Sequence, residues 1–301
     1  MLQINSKEAP NNPITVGYVI EQYLKYIKRD RSPAYYRSVE LSCSHLINHF
    51  SSEKLITSFT LQEIEDFFGR LKVNAPKGYH VYYRNIKATF NKAVEWGYLV
   101  KNPLKGYKPD KLQRGFPLYL SREELDEILL HVTNDRLKEI YLFAFYTGMR
   151  LGEITSLKMK CTNLREKIIV IGNNEFTTKS RKVRQVPMTD LVYEIVQLRV
   201  NNFPKNSYAE IQEYYLFGKS KKVPFTKNFI SKSFKNAVKK TTLNQTLHFH
   251  SLRHSFASLL VQKGVSLYVV KELLGHENLI TTQVYGHLNI KSLYKAVEFL
   301  N

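Results

Sequence analysis

Between residues 104 and 118 the chain reads LKGYKPDKLQRGFPL, with two glycines, two prolines, four basic residues and no hydrophobic periodicity. A stretch of this kind is the best linker candidate in the chain. It therefore splits the 301 residues into two segments, each long enough to bury a core of its own. The expected organisation is a polar lead-in at 1–13, a helical domain at 14–103, the linker at 104–118 and a second domain at 119–301.

Ahead of the linker the apolar residues recur at helical spacing. Ile14, Val19, Ile20, Tyr23, Leu24 and Ile27 mark a first helix over 14–29. A second follows Ser32-Pro33 and runs to Phe50, with Val39, Leu41, Leu46 and Ile47 as its apolar set. Thr60-Leu-Gln-Glu63 has capping-box spacing and opens a third helix to about Leu71. The fourth and longest covers Gly78 to Trp96, stopped by Gly97 and Asn102-Pro103. Its tyrosines at 79, 82 and 83 stand among basic residues and suit either core packing or contact with a polyanion.

Beyond the linker, Ser121-Arg-Glu-Glu124 is another capping box and starts a helix to about Val132. A strongly apolar helix over Asp135–Thr147 follows. Residues 166–171 (EKIIVI) and 183–188 (VRQVPM) read as strands of a hairpin or small three-stranded sheet. Helices resume at Leu191–Val200 and Asn228–Lys239. Residues 203–224 read as irregular, and a last short helix is expected near Ile290–Leu300. The fold class is thus mainly α with a small β-sheet.

The net charge of +19 points to a polyanionic partner, nucleic acid first. The excess is general: Lys and Arg outnumber Asp and Glu by 16 to 10 in residues 1–110 and by 29 to 16 in residues 111–301. The basic linker suits a DNA backbone or plain solvent. Two cysteines, Cys43 and Cys161, stand far apart, as in a reducing cytosol. No signal-peptide pattern or run of about 18 apolar residues exists, so a cytoplasmic protein with no membrane contact is expected.

Residues 248–288 hold five of the nine histidines, with Arg253 in H-S-L-R and Tyr285 in T-T-Q-V-Y. His250 and Arg253, three apart, share a face if helical. His248, His250, His254 and His276 have spacing that a metal site could use. No carboxylate stands among those residues, and two arginines beside a cation would repel it. The bland reading of each group is also open. Arg150 could cap a helix, Lys179 could be a solvated lysine, and Glu153 could steady an arginine. His254 reads as a satisfied supporting histidine, His248 and His287 as structural or solvent-facing, and Tyr268 as a packing residue.

Four ordered stretches resemble the tyrosine recombinase, or phage integrase, family. T-G-M-R-L-G-E at 147–153 is similar to its first arginine box. Lys179, eight residues before Pro187, matches its hairpin lysine. H-S-L-R at 250–253 matches its H-x-x-R box. L-G-H at 274–276 with T-T-Q-V-Y at 281–285 matches its second histidine and its tyrosine. The first half resembles the family's helical, SAM-like core-binding domain, and W-G-Y-L with N-P at 96–103 echoes its end. The second half resembles its mixed α+β catalytic domain.

The resemblance implies a DNA phosphodiester as substrate and Tyr285 as nucleophile. Arg150 and Arg253 would stabilise charge on the non-bridging oxygens. His250 would take the proton of a phenol whose ordinary pKa is about 10. Lys179 would protonate the leaving 5′-oxygen, its pKa lowered by Arg181, Lys182 and Arg184 crowding a mobile hairpin. His276 would bond a non-bridging oxygen. One phosphoester replaces another, so neither cofactor, metal nor ATP is implied. The resemblance further implies double-stranded DNA clamped between the two domains and a homotetramer on two DNA sites, monomeric or dimeric off DNA. The final helix is expected to dock on a neighbouring protomer. The length leaves little room for an extra N-terminal arm-binding domain, which favours a simple Xer-like type or a compact mobile-element integrase. The competing readings are a type IB topoisomerase-like relaxing enzyme and a DNA-bridging protein in which Tyr285 is dispensable.

Overall fold

The computed structural model describes residues 13–110, 115–172, 183–202 and 211–288. The chain divides into two compact units, Met1–Gln113 and Arg114–Asn301.

The first unit is built from α1 (Val16–Asp30), α2 (Pro33–Phe50), α3 (Leu61–Asn74) and α4 (Tyr79–Glu95). Three of the starts have a local cause. The side chains of Thr15, Ser32 and Thr60 accept backbone N–H bonds at the first turns of α1, α2 and α3, and Thr60 and Glu63 complete the expected capping box. The core is apolar and aromatic, with Val16, Ile20, Ile27, Ile64, Phe68, Ile86 and Phe90 among its members. Asn85 of α4 donates to Ser38 and Ser42 of α2, which satisfies a buried amide where the two helices meet. Tyr79 and Tyr83 lie in the core, so packing accounts for both. Leu41 was expected on the inner face of α2 and is 50% exposed. The buried stripe runs through Val39, Ser42, Cys43 and Leu46, and Leu41 falls outside that period.

The second unit begins with α5 (Arg122–Leu130), α6 (Asp135–Thr147) and α7 (Leu151–Ser156). An antiparallel sheet follows in the order β1 (Thr162–Asn163), β2 (Ile168–Ile171), β3 (Arg184–Pro187), with Ile169 opposite Val186. The chain continues through α8 (Asp190–Asn201), a hairpin of β4 (Gly218–Ser220) and β5 (Val223–Pro224), and α9 (Lys227–Val238). It then forms α10 (Phe249–Gln262), α11 (Leu267–Leu274) and the short α12 (Ile280–Gln283). The β4–β5 hairpin lies where irregular chain was expected. Strands of three and two residues are too short to carry a readable alternation.

In this unit α6 is buried along most of its length and packs against α10. Tyr141 of α6 is fully buried and donates its hydroxyl to the Ile230 carbonyl of α9. Tyr268 was expected to pack, yet it is 65% exposed on the outer face of α11, with the Lys271 ammonium over its ring. No helix among the described residues is long and apolar enough to cross a membrane. Residues 173–182 and 289–301 lie outside the described residues, so Lys179, its neighbours Arg181 and Lys182, and the expected final helix do too.

Candidate active site

Two left-handed turns set the site. α6 ends at Gly148, whose φ of +62° redirects the chain so that Arg150 becomes the N-cap of α7. A Cβ at Gly148 would stand 2.4 Å from Phe256 Cδ1 and 3.0 Å from Leu274 Cδ2. α11 ends at Gly275, with φ of +65°, which brings His276 back over its own helix end. There a Cβ would meet the Arg184 side chain at 2.9 Å. Both positions need glycine for conformation and for space.

The arginines are held in different ways. Arg253 on α10 is 2% exposed and spends its fork on two helix-end carbonyls, Nη1 to Gly148 O and Nη2 to Leu274 O, each at 2.7 Å. The C-termini of α6 and α11 thus anchor one cation. Burial, then the charge of Arg150, lowers its pKa to about 9, which leaves it cationic at neutral pH. Arg150 is more open. Its Nη1 meets Glu153 Oε1 at 3.0 Å, and its backbone N–H donates to Glu153 Oε2 at 2.8 Å.

Glu153 is buried and shared. Arg184 of β3 grips both its oxygens, at 3.1 and 2.7 Å, and sends Nε to the Leu273 carbonyl at 3.0 Å. Burial alone would raise the Glu153 pKa, but the contacts with Arg184 and Arg150 outweigh it and lower the value. Arg184 was expected to crowd a lysine on a mobile hairpin. Lys179 lies outside the described residues; Arg184 itself is a buried tie between sheet, α7 and the end of α11, because its bidentate fork finds a buried carboxylate there.

The histidines separate by partner. His250, Arg253 and His254 share one face of α10, and the rings of His250 and His254 meet edge to face at 4.9 Å. The Nδ1 of His254 lies 2.6 Å from the Tyr285 hydroxyl. His250, assigned that phenol from the sequence, is solvent-exposed at the mouth of the cluster. Among the described residues it has no hydrogen bond to Tyr285. His276 sets Nδ1 2.9 Å from the Thr282 hydroxyl, which leaves Nε2 as the remaining polar atom of its ring. His248 caps α10 through Ser251, and the ring of His287 lies on that of Phe116. Among the described residues no group of three or more His, Cys, Asp or Glu side chains is placed to hold a metal ion.

The electrostatics follow from crowding by cations. Desolvation first, then His248 and Arg253, pushes His254 down to about 4, and neighbouring cations lower the more exposed His250 in the same direction. Desolvation with Arg253, Arg150 and Arg184 pushes His276 down to about 3. Tyr285 is 2% exposed, and desolvation raises its phenol to about 12 against a lowering by Arg253. Arg150 and Arg184 therefore share one carboxylate while Arg253 has only carbonyl partners, and the pocket carries an excess of positive charge that an anion would neutralise. From the sequence-derived set the structure gathers Arg150, His250, Arg253, His276 and Tyr285. It adds Arg184 as a support, and gives Glu153 and His254, read from the sequence as supporting residues, their partners.

The Phage integrase family profile matches residues 119–292, and the Phage integrase SAM-like domain profile matches residues 15–109. The tyrosine recombinase XerD of Staphylococcus haemolyticus (strain JCSC1435) is 28% identical over 292 residues, covering 92% of this chain and 97% of that protein. Among solved structures, the Tn1549 transposon integrase in complex with a circular intermediate DNA has a TM-score of 0.79 at 21% identity. The match covers 96% of this chain and all of that one. A lambda integrase tetramer bound to a Holliday junction has a TM-score of 0.70 at 16% identity, over 91% and 83% of the two chains. These structural matches establish the shared fold. The chain belongs to the phage integrase family of tyrosine recombinases.

Proposed function

We propose that this recombinase cleaves and rejoins duplex DNA with Tyr285 as nucleophile, through a 3′-phosphotyrosyl intermediate. The observation that carries the reading is the placing of the Tyr285 phenol within the field of Arg253, in a pocket where guanidiniums outnumber carboxylates. Attack on phosphorus gathers negative charge on the non-bridging oxygens. Arg150 and Arg253 stabilise it as preorganised cations, with His276 Nε2 and the exposed His250 as further donors. Lys179 protonates the departing 5′-oxygen. The reverse attack by another strand's 5′-hydroxyl restores a phosphodiester, and the bond energy is conserved throughout.

Double-stranded DNA is the partner, and both segments of the chain are basic enough to contact it. The lambda integrase tetramer on a Holliday junction supports a tetramer spanning two DNA sites. In that assembly, residues 290–301 dock on a neighbouring protomer.

Covalent trapping on nicked duplex DNA tests the reading. The wild type gives a protease-sensitive adduct that a chelator leaves intact. Tyr285→Phe binds DNA and gives none. An adduct formed by Tyr285→Phe rules Tyr285 out as the nucleophile.

A further inference from the structure

We propose that His254, rather than His250, seats the Tyr285 phenol and accepts its proton as the phenol attacks phosphorus. The assignment rests on the strand-transfer reading above. The 2.6 Å contact lets the phenol donate: with the ring proton on Nε2, it runs from Tyr285 Oη–H to an unprotonated His254 Nδ1. That is the tautomer a proton acceptor needs. Tyr285 is almost closed to solvent, so bulk water is a poor competitor for its proton. His250 touches the edge of the His254 ring and lies out toward solvent, three residues from Arg253 on the same helical face. That position suits a bond to a phosphate oxygen.

The surroundings also time the transfer. Burial and the nearby cations keep the His254 imidazole neutral at neutral pH, hence able to accept. An incoming diester offsets the guanidinium charge and raises the proton affinity of the ring, so His254 strengthens as a base when substrate is present. In the step itself the Tyr285 Oη–P bond forms and the P–O5′ bond breaks. The phenolic proton passes to His254 Nδ1, and the leaving oxygen takes its proton from Lys179. Religation reverses each transfer.

The test is single-turnover cleavage of a nicked suicide duplex carrying either oxygen or sulfur at the bridging 5′ position. A thiolate leaves without protonation, so sulfur masks defects on the leaving-group side and exposes those on the nucleophile side. His254→Ala and His254→Asn are expected to bind duplex as the wild type does and to cleave about 100-fold more slowly with either leaving group. Asn places a neutral acceptor near the Nδ1 position, so it keeps the seat without the base. It also serves as the better-folded variant should the Ala cavity disturb α10. Added imidazole is expected to raise the rate of His254→Ala several-fold, while Tyr285→Phe stays inert. Cleavage by His254→Asn within a few-fold of wild type overturns the proton-acceptor role. So does an Ala defect that sulfur removes, an Ala rate that imidazole leaves unchanged, or an imidazole response in His250→Ala instead. Adduct formation by Tyr285→Phe marks failure of the strand-transfer reading itself.

Discussion

Arg253 and Arg150 carry the same charge into one pocket and are built in unlike ways. Arg253 closes two helix-end carbonyls, so Arg253→Ala orphans both as well as removing charge. We expect a loss of about 1–3 kcal/mol in stability, from carbonyls left without a donor. Cleavage should also slow roughly 10²–10³-fold, as for removal of one charge-stabilising donor. Arg150→Ala, at a side chain 29% exposed, should show the rate loss with little change in melting temperature. Equal melting shifts for the two variants would contradict this division. The imidazoles predict a pH dependence. His254 titrates at about 4 and His276 at about 3 when folded, against roughly 6.5 for a free imidazole. Between these values the unfolded chain binds protons that the native pocket refuses. Their contribution to stability is therefore whole above about pH 6.5 and is lost as pH falls toward 4. Calorimetry of the DNA-free protein should show a melting temperature that declines over that window, less steeply in His276→Gln.

At the scale of elements, the site is a meeting of ends: α6 and α11 terminate on Arg253, while β3 and α7 are tied through Arg184 and Glu153. Removing Glu153 leaves Arg184 buried without its carboxylate. Glu153→Ala should cost about 3–5 kcal/mol, the range for breaking a buried pair by deleting one partner. Arg184→Lys is not conservative there, since an ammonium cannot grip two oxygens and the Leu273 carbonyl together. We expect it to lower the denaturation midpoint and slow cleavage without weakening DNA binding; unchanged cleavage would make the tie purely structural. Gly148→Ala should be worse than Gly275→Ala, because its Cβ meets the ring of Phe256 rather than a long arginine side chain.

At the scale of the molecule, each unit has its own core, one around Phe68, Ile86 and Phe90 and the other around Tyr141, Phe143 and Phe234. Residues 1–113 expressed alone should therefore melt cooperatively, and a gradual, featureless unfolding curve would contradict this. The charge on both segments makes a further prediction. Log affinity for duplex DNA should fall against log salt with a slope of about −0.9 per phosphate neutralised. That slope should be steeper for the whole chain than for either piece, as binding titrations across salt concentrations would read. Truncation at residue 289 should impair synapsis more than single-site binding; an equally active truncation removes the docking role proposed for 290–301.

Much of this was legible locally. Helix starts at Thr60 and Ser121 follow from capping boxes and the strand at 168–171 from a β-branched run, while the family resemblance of three ordered boxes implied a shared site for Arg150, His250, Arg253, His276 and Tyr285. The caps and the strand depend on neighbours a few residues away, and spacing encodes those; the shared site was read from the resemblance alone. What only the tertiary structure decided is which histidine of 248–288 meets the tyrosine, and which way Arg184 points. His254 and Tyr285 are 31 residues apart, and Arg184 and Glu153 are also 31 apart. Both contacts depend on the turns at Gly148 and Gly275 and on the angle at which α10 meets α11. Those angles come from the packing of side chains remote in sequence, so no local pattern records them. The residue types of 248–288 thus point to an anion as partner, while the packed helices set His254 against the phenol.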